Sequence, residues 1–169
     1  FEGVELSGKV LGLIGIGNIG REVAVRAKAL GMTVIASDPY VKETAGVTLV
    51  SLDEVLAKAD YISLHLPKTK DSADMIGAAQ FAKMKDGVRL VNCARGGIVN
   101  EAALYEALVS GKVAAAAVDV YGEEPPTDWK LVKHDNVICS PHIGATTKEA
   151  QGRVGAEVAE KLIEFAKAH

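Results

Sequence analysis

Arg95, Glu124 and His142 are the residues of this 169-residue sequence best suited to chemistry, because each follows the end of an apolar run. Arg95 closes the stretch VNCAR, with Gly96 and Gly97 directly behind it. A guanidinium is always charged and presents a planar fork that matches a carboxylate. An arginine after a strand is most often half of a surface salt bridge, but the two glycines strip side chains from a place where a ligand would approach. Glu124 lies in DVYGEEPP and His142 in SPHIGA. Histidine titrates near the working pH and can take or return a hydroxyl proton. A carboxylate held against its other ring nitrogen fixes the tautomer and favours the imidazolium form. Oxidising a 2-hydroxy acid by hydride transfer needs this set: a carboxylate clamp, a proton acceptor and an acidic partner for it. An isolated His or Glu on a loop is usually just solvated; three such groups at three strand ends on one sheet edge argue for a site.

A second constellation precedes these residues. Gly15-Ile16-Gly17-Asn18-Ile19-Gly20 follows one apolar run and opens a helical pattern. In a dinucleotide turn the three glycines provide the sharp bend, close approach of pyrophosphate to backbone, and tight packing of helix on strand. Free N–H groups and the positive helix end then hold the anion. A glycine hexapeptide alone is weak evidence, but Asp38 ends the next apolar run 18 residues beyond Gly20. A carboxylate there can accept from both hydroxyls of an adenosine ribose and repels a 2′-phosphate. Pro39 and Tyr40 follow it rather than an arginine, which favours NAD over NADP.

The elements that must position these residues are legible as alternating patterns. The runs at 10–15, 33–37, 61–65, 88–92, 115–120 and 137–140 read as short strands, nearly continuous in apolar residues. Such runs indicate a parallel sheet covered on both faces. Helical patterns at about 20–31, 52–59, 78–84 and 100–110 separate them, as βαβ units require. Gly31 and Gly111 sit where helix C-caps belong. A last helix opens at Thr146-Thr147-Lys148-Glu149 with a capping-box pattern. Its Ala150, Val154, Val158 and Leu162 predict one buried stripe. The sequence therefore predicts a single α/β domain over residues 1–169, a doubly wound parallel sheet of the Rossmann type. In such sheets ligands bind beyond the carboxyl ends of the strands.

Composition narrows the partners. The net charge of −3 argues against a nucleic-acid surface, and the 5% of aromatic residues gives little for bases to stack on. No apolar run approaches the ~20 residues that cross a bilayer, and no signal peptide precedes the first element. Cys93 and Cys139 are far apart and form no zinc or CxxC spacing, which fits a reducing, cytoplasmic setting with no metal.

Taken together, FEGVELSGKVLGLIGIGNIGRE, SLHLPKT, NCARGGIVNEAAL, VDVYGEEPP and NVICSPHIGATTKEAQ resemble the nucleotide-binding domain of the D-isomer-specific 2-hydroxyacid dehydrogenases over nearly the whole chain. The EEPP and PHIGATTKEAQ segments resemble the branch acting on phosphoglycerate. The resemblance implies that Arg95 binds substrate carboxylate and carbonyl, that His142 is the acid/base, and that Glu124 is its partner. Glu124 is preferred to Glu123 because the family glutamate directly precedes the proline. NAD contacts are implied at Asn18 and Ile19 for the phosphates, and at Asp38 for the ribose. Leu66 and Pro67 would lie along the adenosine. Cys93, Ala94, Arg95, Asp119, His142, Ile143, Gly144 and Ala145 would surround the nicotinamide ribose and ring. Cys93 otherwise reads as a small buried hydrophobe, and His65, His134 and His169 as structural or solvated. The implied reaction is NAD-dependent oxidation of D-3-phosphoglycerate to 3-phosphohydroxypyruvate in serine synthesis, by a homodimer. The alternatives are another member of the family, such as a glyoxylate or hydroxypyruvate reductase, and a NAD-sensing corepressor-like module. Family members build a substrate domain from chain on both sides of this one. The sequence is accordingly expected to be an excised piece that binds NAD but turns over weakly or not at all.

Overall fold

Four of the six connections between successive strands return the chain through a helix to the opposite end of a parallel sheet, and the other two, β2 to β3 and β6 to β7, are loops. The computed structural model describes residues 3–168; His169 lies outside them. Along the chain run β1 (Val10–Ile14), α1 (Asn18–Ala29), β2 (Thr33–Ser37), β3 (Thr48–Leu49), α2 (Leu52–Lys58) and β4 (Tyr61–Leu64). After them come α3 (Ala78–Lys83), β5 (Val88–Asn92), α4 (Glu101–Val109), β6 (Val113–Val118), β7 (Val137–Cys139) and α5 (Lys148–Ala168). The strands form one sheet in the order β3-β2-β1-β4-β5-β6-β7, and every pairing is parallel. The order reverses between β1 and β4, which places the ligand crevice of a doubly wound sheet at their carboxyl ends. This is the predicted Rossmann-type sheet with one strand more, the two-residue edge strand β3.

Local signals set the helix ends. Ser51 caps α2, accepting from the Glu54 amide at 3.2 Å, while Glu54 accepts from the Ser51 amide. Asn100 caps α4 through the Ala103 amide at 2.9 Å. Gly31 and Gly111 take the left-handed conformation that ends α1 and α4. At α5 the cap is Thr147, whose hydroxyl accepts from the Ala150 amide at 3.0 Å. The helix thus starts one residue later than the pattern suggested, and Ala150 occupies the position where a capping box would carry its glutamate.

The two faces of the sheet differ. On one, α2, α3 and α4 press Val55, Leu56, Phe81 and Leu104 against Ile62, Leu64, Leu90 and Val118. On the other, α1 packs Ala24 and Ala27 over Leu11, Leu13, Val34 and Ala36. The second layer does not reach β5, β6 and β7. There burial alternates, with Val91, Ala115 and Ala117 half-exposed and Ile138 78% exposed. Coverage of both faces therefore holds for β1, β2 and β4 alone. The stripe on α5 is likewise not buried: Val154, Val158 and Leu162 are 60%, 51% and 64% exposed. No residue of that helix is buried, so its apolar face is left open.

Candidate active site

The turn after β1 is shaped by what its glycines exclude. Gly15 has φ +93°, a conformation that L side chains rarely adopt, and it lies against the His65 carbonyl after β4. A Cβ on Gly20 would stand 2.6 Å from the Gly15 carbonyl oxygen, so α1 can close on the turn only with glycine there. A Cβ on Gly17 would meet nothing within 4 Å. Its bareness serves no internal packing and faces open space. Gly17 is also the N-cap of α1, it brings no side-chain cap, and the first turn holds no acid. The N–H groups of that turn and the positive helix end thus face outward, the chemistry of an anion cradle.

Asp38 follows β2 and fastens that turn. Its Oδ2 accepts from the Ile16 amide at 2.9 Å, and its Oδ1 from the amides of Tyr40 and Val41 at 2.8 and 3.1 Å. Partial burial would raise its pKa, but these three amides outweigh it and hold the carboxyl below its ordinary value. A carboxylate has about four acceptor positions, so roughly one remains, on Oδ2. The expected pair of ribose hydroxyls therefore has room for about one bond here, because Asp38 also holds the phosphate turn in shape.

Arg95 lies past β5 on a turn organised by Asn92. The buried Asn92 side chain accepts from the Ala94 amide at 3.1 Å and donates to the Arg95 carbonyl at 3.2 Å. Among the described residues Arg95 makes no ion pair. It is exposed, and its Nη1 donates only to the Ala94 carbonyl at 2.6 Å. The guanidinium therefore keeps its fork free for an outside anion. The glycines behind it act differently from the expectation. The space a side chain at Gly96 would need is filled by the Tyr121 carbonyl, and that of Gly97 by the Lys68 ammonium. Gly96 thus lets backbone pack on backbone rather than opening a path for ligand, whereas Gly97, at φ +74°, meets only the tip of a flexible side chain.

Two loops bring the acid/base pair together. His142 Nδ1 stands 2.8 Å from Glu124 Oε2, and the other Glu124 oxygen accepts from the Tyr121 amide at 3.0 Å. The His142 contact and that amide hold the Glu124 carboxyl below its ordinary pKa. Glu123 instead accepts from the Thr127 hydroxyl at 2.7 Å. His142 has φ +54°, a region where a non-glycine residue is uncommon. What imposes it is Asp119, buried at the end of β6. Its Oδ1 accepts from the Ile143 amide at 2.9 Å and the Ser140 hydroxyl at 2.6 Å, and its Oδ2 from the Gly144 amide at 2.8 Å. Burial alone would raise the Asp119 pKa, but these three donors lower it overall. Tyr121, also buried, adds a hydroxyl bond to the Ser140 carbonyl at 2.9 Å. Strained backbone of this kind persists where its surroundings over-determine it.

The remaining predicted positions divide. Leu66 is half-buried and Pro67 exposed after β4, beside the glycine turn. Ala94 is half-buried, whereas Ile143, Gly144 and Ala145 are exposed on the His142 loop. Cys93 is exposed, not buried; partial desolvation of its sulfur and the Asp119 carboxylate push its thiol pKa up, so it is no ready thiolate. His65 lies 2.9 Å from the Ser63 hydroxyl, and burial lowers its pKa; His134 stacks edge-on against Tyr105. Both are structural. A largely apolar cavity of about 450 Å³ adjoins the Glu124–His142 pair, lined also by Tyr121, Trp129, Val132 and Cys139. No group of three or more His, Cys, Asp or Glu among the described residues could hold a metal, and no described helix is long and apolar enough to cross a membrane. Asn92, Tyr121 and Ser140 were not foreseen. Only Asn92 left a signal, as an asparagine ending a strand before a turn.

Comparison with known proteins places this geometry among relatives. Residues 1–144 match the family model described as "D-isomer specific 2-hydroxyacid dehydrogenase, NAD binding domain". The chain is 56% identical over 172 aligned positions to a D-3-phosphoglycerate dehydrogenase of Archaeoglobus fulgidus, covering 99% of this chain and 33% of that protein. It is 56% identical over 165 positions to a hydroxypyruvate reductase of Thermotoga maritima, covering 95% of this chain and 54% of the relative. Among solved structures, a D-lactate dehydrogenase from Aquifex aeolicus, complexed with NAD and lactic acid, superposes with a TM-score of 0.90 at 37% identity. That match covers 98% of this chain and 55% of the other. The chain thus spans between about a third and a half of the length of these relatives.

Proposed function

The chain belongs to the D-isomer-specific 2-hydroxyacid dehydrogenases, as their NAD-binding domain, and on that premise we propose that it serves NAD-dependent oxidation of D-3-phosphoglycerate to 3-phosphohydroxypyruvate. The observation that carries the reading is the 2.8 Å His142–Glu124 pair, on the same sheet edge as an arginine with no ion-pair partner among the described residues. The phosphate branch, and with it serine synthesis, is supported by relatives named D-3-phosphoglycerate dehydrogenase at 48–56% identity.

Residues 1–169 are one NAD-binding domain, and the substrate domain is supplied by chain outside this stretch. The turn of Gly15, Gly17 and Gly20, with Asn18 and Ile19 opening α1, receives the pyrophosphate. Asp38 takes a ribose hydroxyl on its free Oδ2 position, and Leu66 and Pro67 flank the adenosine. Cys93, Ala94, Asp119, Ile143, Gly144 and Ala145 border the nicotinamide end, where Asp119 acts by holding the loop. Bound NAD supplies the hydride acceptor. Arg95 orients the substrate by its carboxylate and carbonyl oxygens. His142 takes the hydroxyl proton on Nε2 while Glu124, against Nδ1, stabilises the imidazolium that results. Adjacent strands lie ~4.8 Å apart, so β5 and β7, with β6 between them, end ~10 Å from one another on the same sheet edge.

A homodimer in a cytoplasmic setting belongs to the same proposal, supported by the exposed apolar residues of α5 and β7 and by two free cysteines. The Thermotoga maritima relative favours a second reading, reduction of an unphosphorylated hydroxypyruvate. Assay of the complete protein with D-3-phosphoglycerate, glycerate, hydroxypyruvate and glyoxylate separates the two. Turnover of the phosphorylated acid at least as efficient as of the others is expected, and a clear preference for hydroxypyruvate would overturn the first reading.

A further inference from the structure

One peptide group, between Tyr121 and Gly122, is held from both sides by different parts of the site. Its N–H, on Gly122, donates to Glu101 Oε1 at 2.6 Å. Its carbonyl, on Tyr121, seats against Gly96, the residue directly after Arg95. One atom group upstream, the Tyr121 amide donates to Glu124, whose second oxygen meets His142. Glu101 is the first residue of α4, and its carboxylate reaches across 21 residues of sequence to make this bond.

We propose that Glu101 is a positioning residue: its carboxylate clamps the Tyr121–Gly122 peptide and so sets the Glu124–His142 pair against the Arg95 turn. The proposal rests on the reading of those three residues given above. A hydrogen bond to a carboxylate is short and strong for its class, and it fixes the rotation of a peptide plane that has a glycine on its far side. Gly122 is exposed, so water can replace the lost acceptor. Removing Glu101 should therefore cost little stability and much geometry. No other described side chain is bonded to that N–H.

The test uses the complete protein that contains this chain. Glu101→Ala is expected to lower kcat by about 10-fold to 100-fold, the scale at which small misplacements act, while the Kd for NAD stays unchanged. Glu101→Gln keeps a carbonyl oxygen able to accept from the Gly122 amide and should recover most of the loss. In parallel, ¹⁵N shifts of the His142 ring should show Nδ1 losing its hydrogen bond in the alanine variant and keeping it in the glutamine variant. Wild-type kcat and unaltered ring shifts in Glu101→Ala would overturn the proposal. So would an equal loss in both variants with the ring shifts unmoved. If the wild-type protein turns over none of the acids, the functional reading fails, and the ring shifts alone decide on Glu101.

Discussion

His142 and Glu124 meet at 2.8 Å, Nδ1 to Oε2, although they belong to loops after different strands. Because Nδ1 faces the carboxylate, Nε2 is the ring nitrogen left for a substrate, and it has no protein partner among the described residues. The loops are held independently: Tyr121 fixes Glu124, and Asp119 fixes the residues after His142. Neither anchor touches the imidazole, so the ring can gain and lose a proton without releasing its support.

Replacing His142 by alanine in the complete protein should lower kcat about 10²–10⁴-fold, the usual contribution of a positioned acid/base. The Kd for NAD should change little. Steady-state kinetics and a cofactor titration check both, and undiminished turnover would remove His142 from the chemistry.

Acid should loosen this region, and the sign follows from the carboxyls. Glu124 and Asp119 both have folded pKa values below their ordinary ones. Each contributes stability that is present above the ordinary carboxylate pKa and lost as pH falls through the lowered folded value. Denaturation of the wild-type chain should therefore show stability declining from about pH 5 downward. In Asp119→Asn, one position presents an N–H₂ to donors where an oxygen had accepted. That variant should be less stable at pH 7 by about 1–3 kcal/mol, the cost of an unsatisfied buried polar group. It should also decline less steeply in acid, because one proton fewer is taken up on unfolding. Parallel pH profiles for the two proteins would show that Asp119 is not the group responsible.

Much of this fold was legible because its strands are apolar and its turns carry glycine. Strands β1, β2, β4, β5 and β7 lie where the runs predicted, and Arg95, Glu124 and His142 stand at the expected strand ends. What escaped shares a physical cause. The edge strand β3 is two residues, Thr48 and Leu49, with no apolar run to mark it. The stripe on α5 reads as a core face because periodicity reports that a helix has an apolar side, not what covers it. The run 115–120 reads as a strand buried on both faces, yet β6 begins two residues earlier, at Val113, and Ala115 and Ala117 are only half-buried where no helix layer reaches them. Gly96 reads as room for ligand, while the space is taken by a carbonyl 25 residues further on. Asp119 illustrates the same limit: the resemblance implies a place beside the nicotinamide, and only the fold shows its oxygens given to Ser140, Ile143 and Gly144.

Arg95→Lys keeps the charge and removes the fork. Losing one charge-assisted hydrogen bond costs about 1.5–3 kcal/mol, so kcat/KM for the acid should fall about 10-fold to 100-fold. Among the described residues the exposed Arg95 side chain has no ion-pair partner, so the melting temperature should stay unchanged. An equal kcat/KM in the lysine variant would show that charge alone suffices.

Asp38→Arg should weaken NAD binding and raise tolerance of NADP, because a cation replaces the carboxylate that repels a 2′-phosphate. The same change strips acceptors from the Ile16, Tyr40 and Val41 amides, so some loss of thermal stability should accompany it. Titration with both cofactors tests the first part. Unchanged NAD affinity would remove Asp38 from the cofactor site and leave it only the role of holding the turn.

Gly17 and Gly20 stand in one hexapeptide but should fail in different ways. A Cβ at Gly17 meets nothing within 4 Å, and its φ of −69° is open to any residue. Gly17→Ala should therefore leave stability within about 0.5 kcal/mol of wild type, as exposed substitutions usually do. It should still weaken NAD binding, because the methyl group occupies the space into which the pyrophosphate must come. At Gly20 a Cβ would stand 2.6 Å from the Gly15 carbonyl oxygen, which is backbone and cannot swing aside. Gly20→Ala should cost about 1–3 kcal/mol, the range of an overpacked contact, and weaken NAD only as the turn deforms. Melting curves and NAD titrations on both variants separate ligand space from packing space. If Gly17→Ala binds NAD as tightly as wild type, the open side of this turn is not where the phosphates lie.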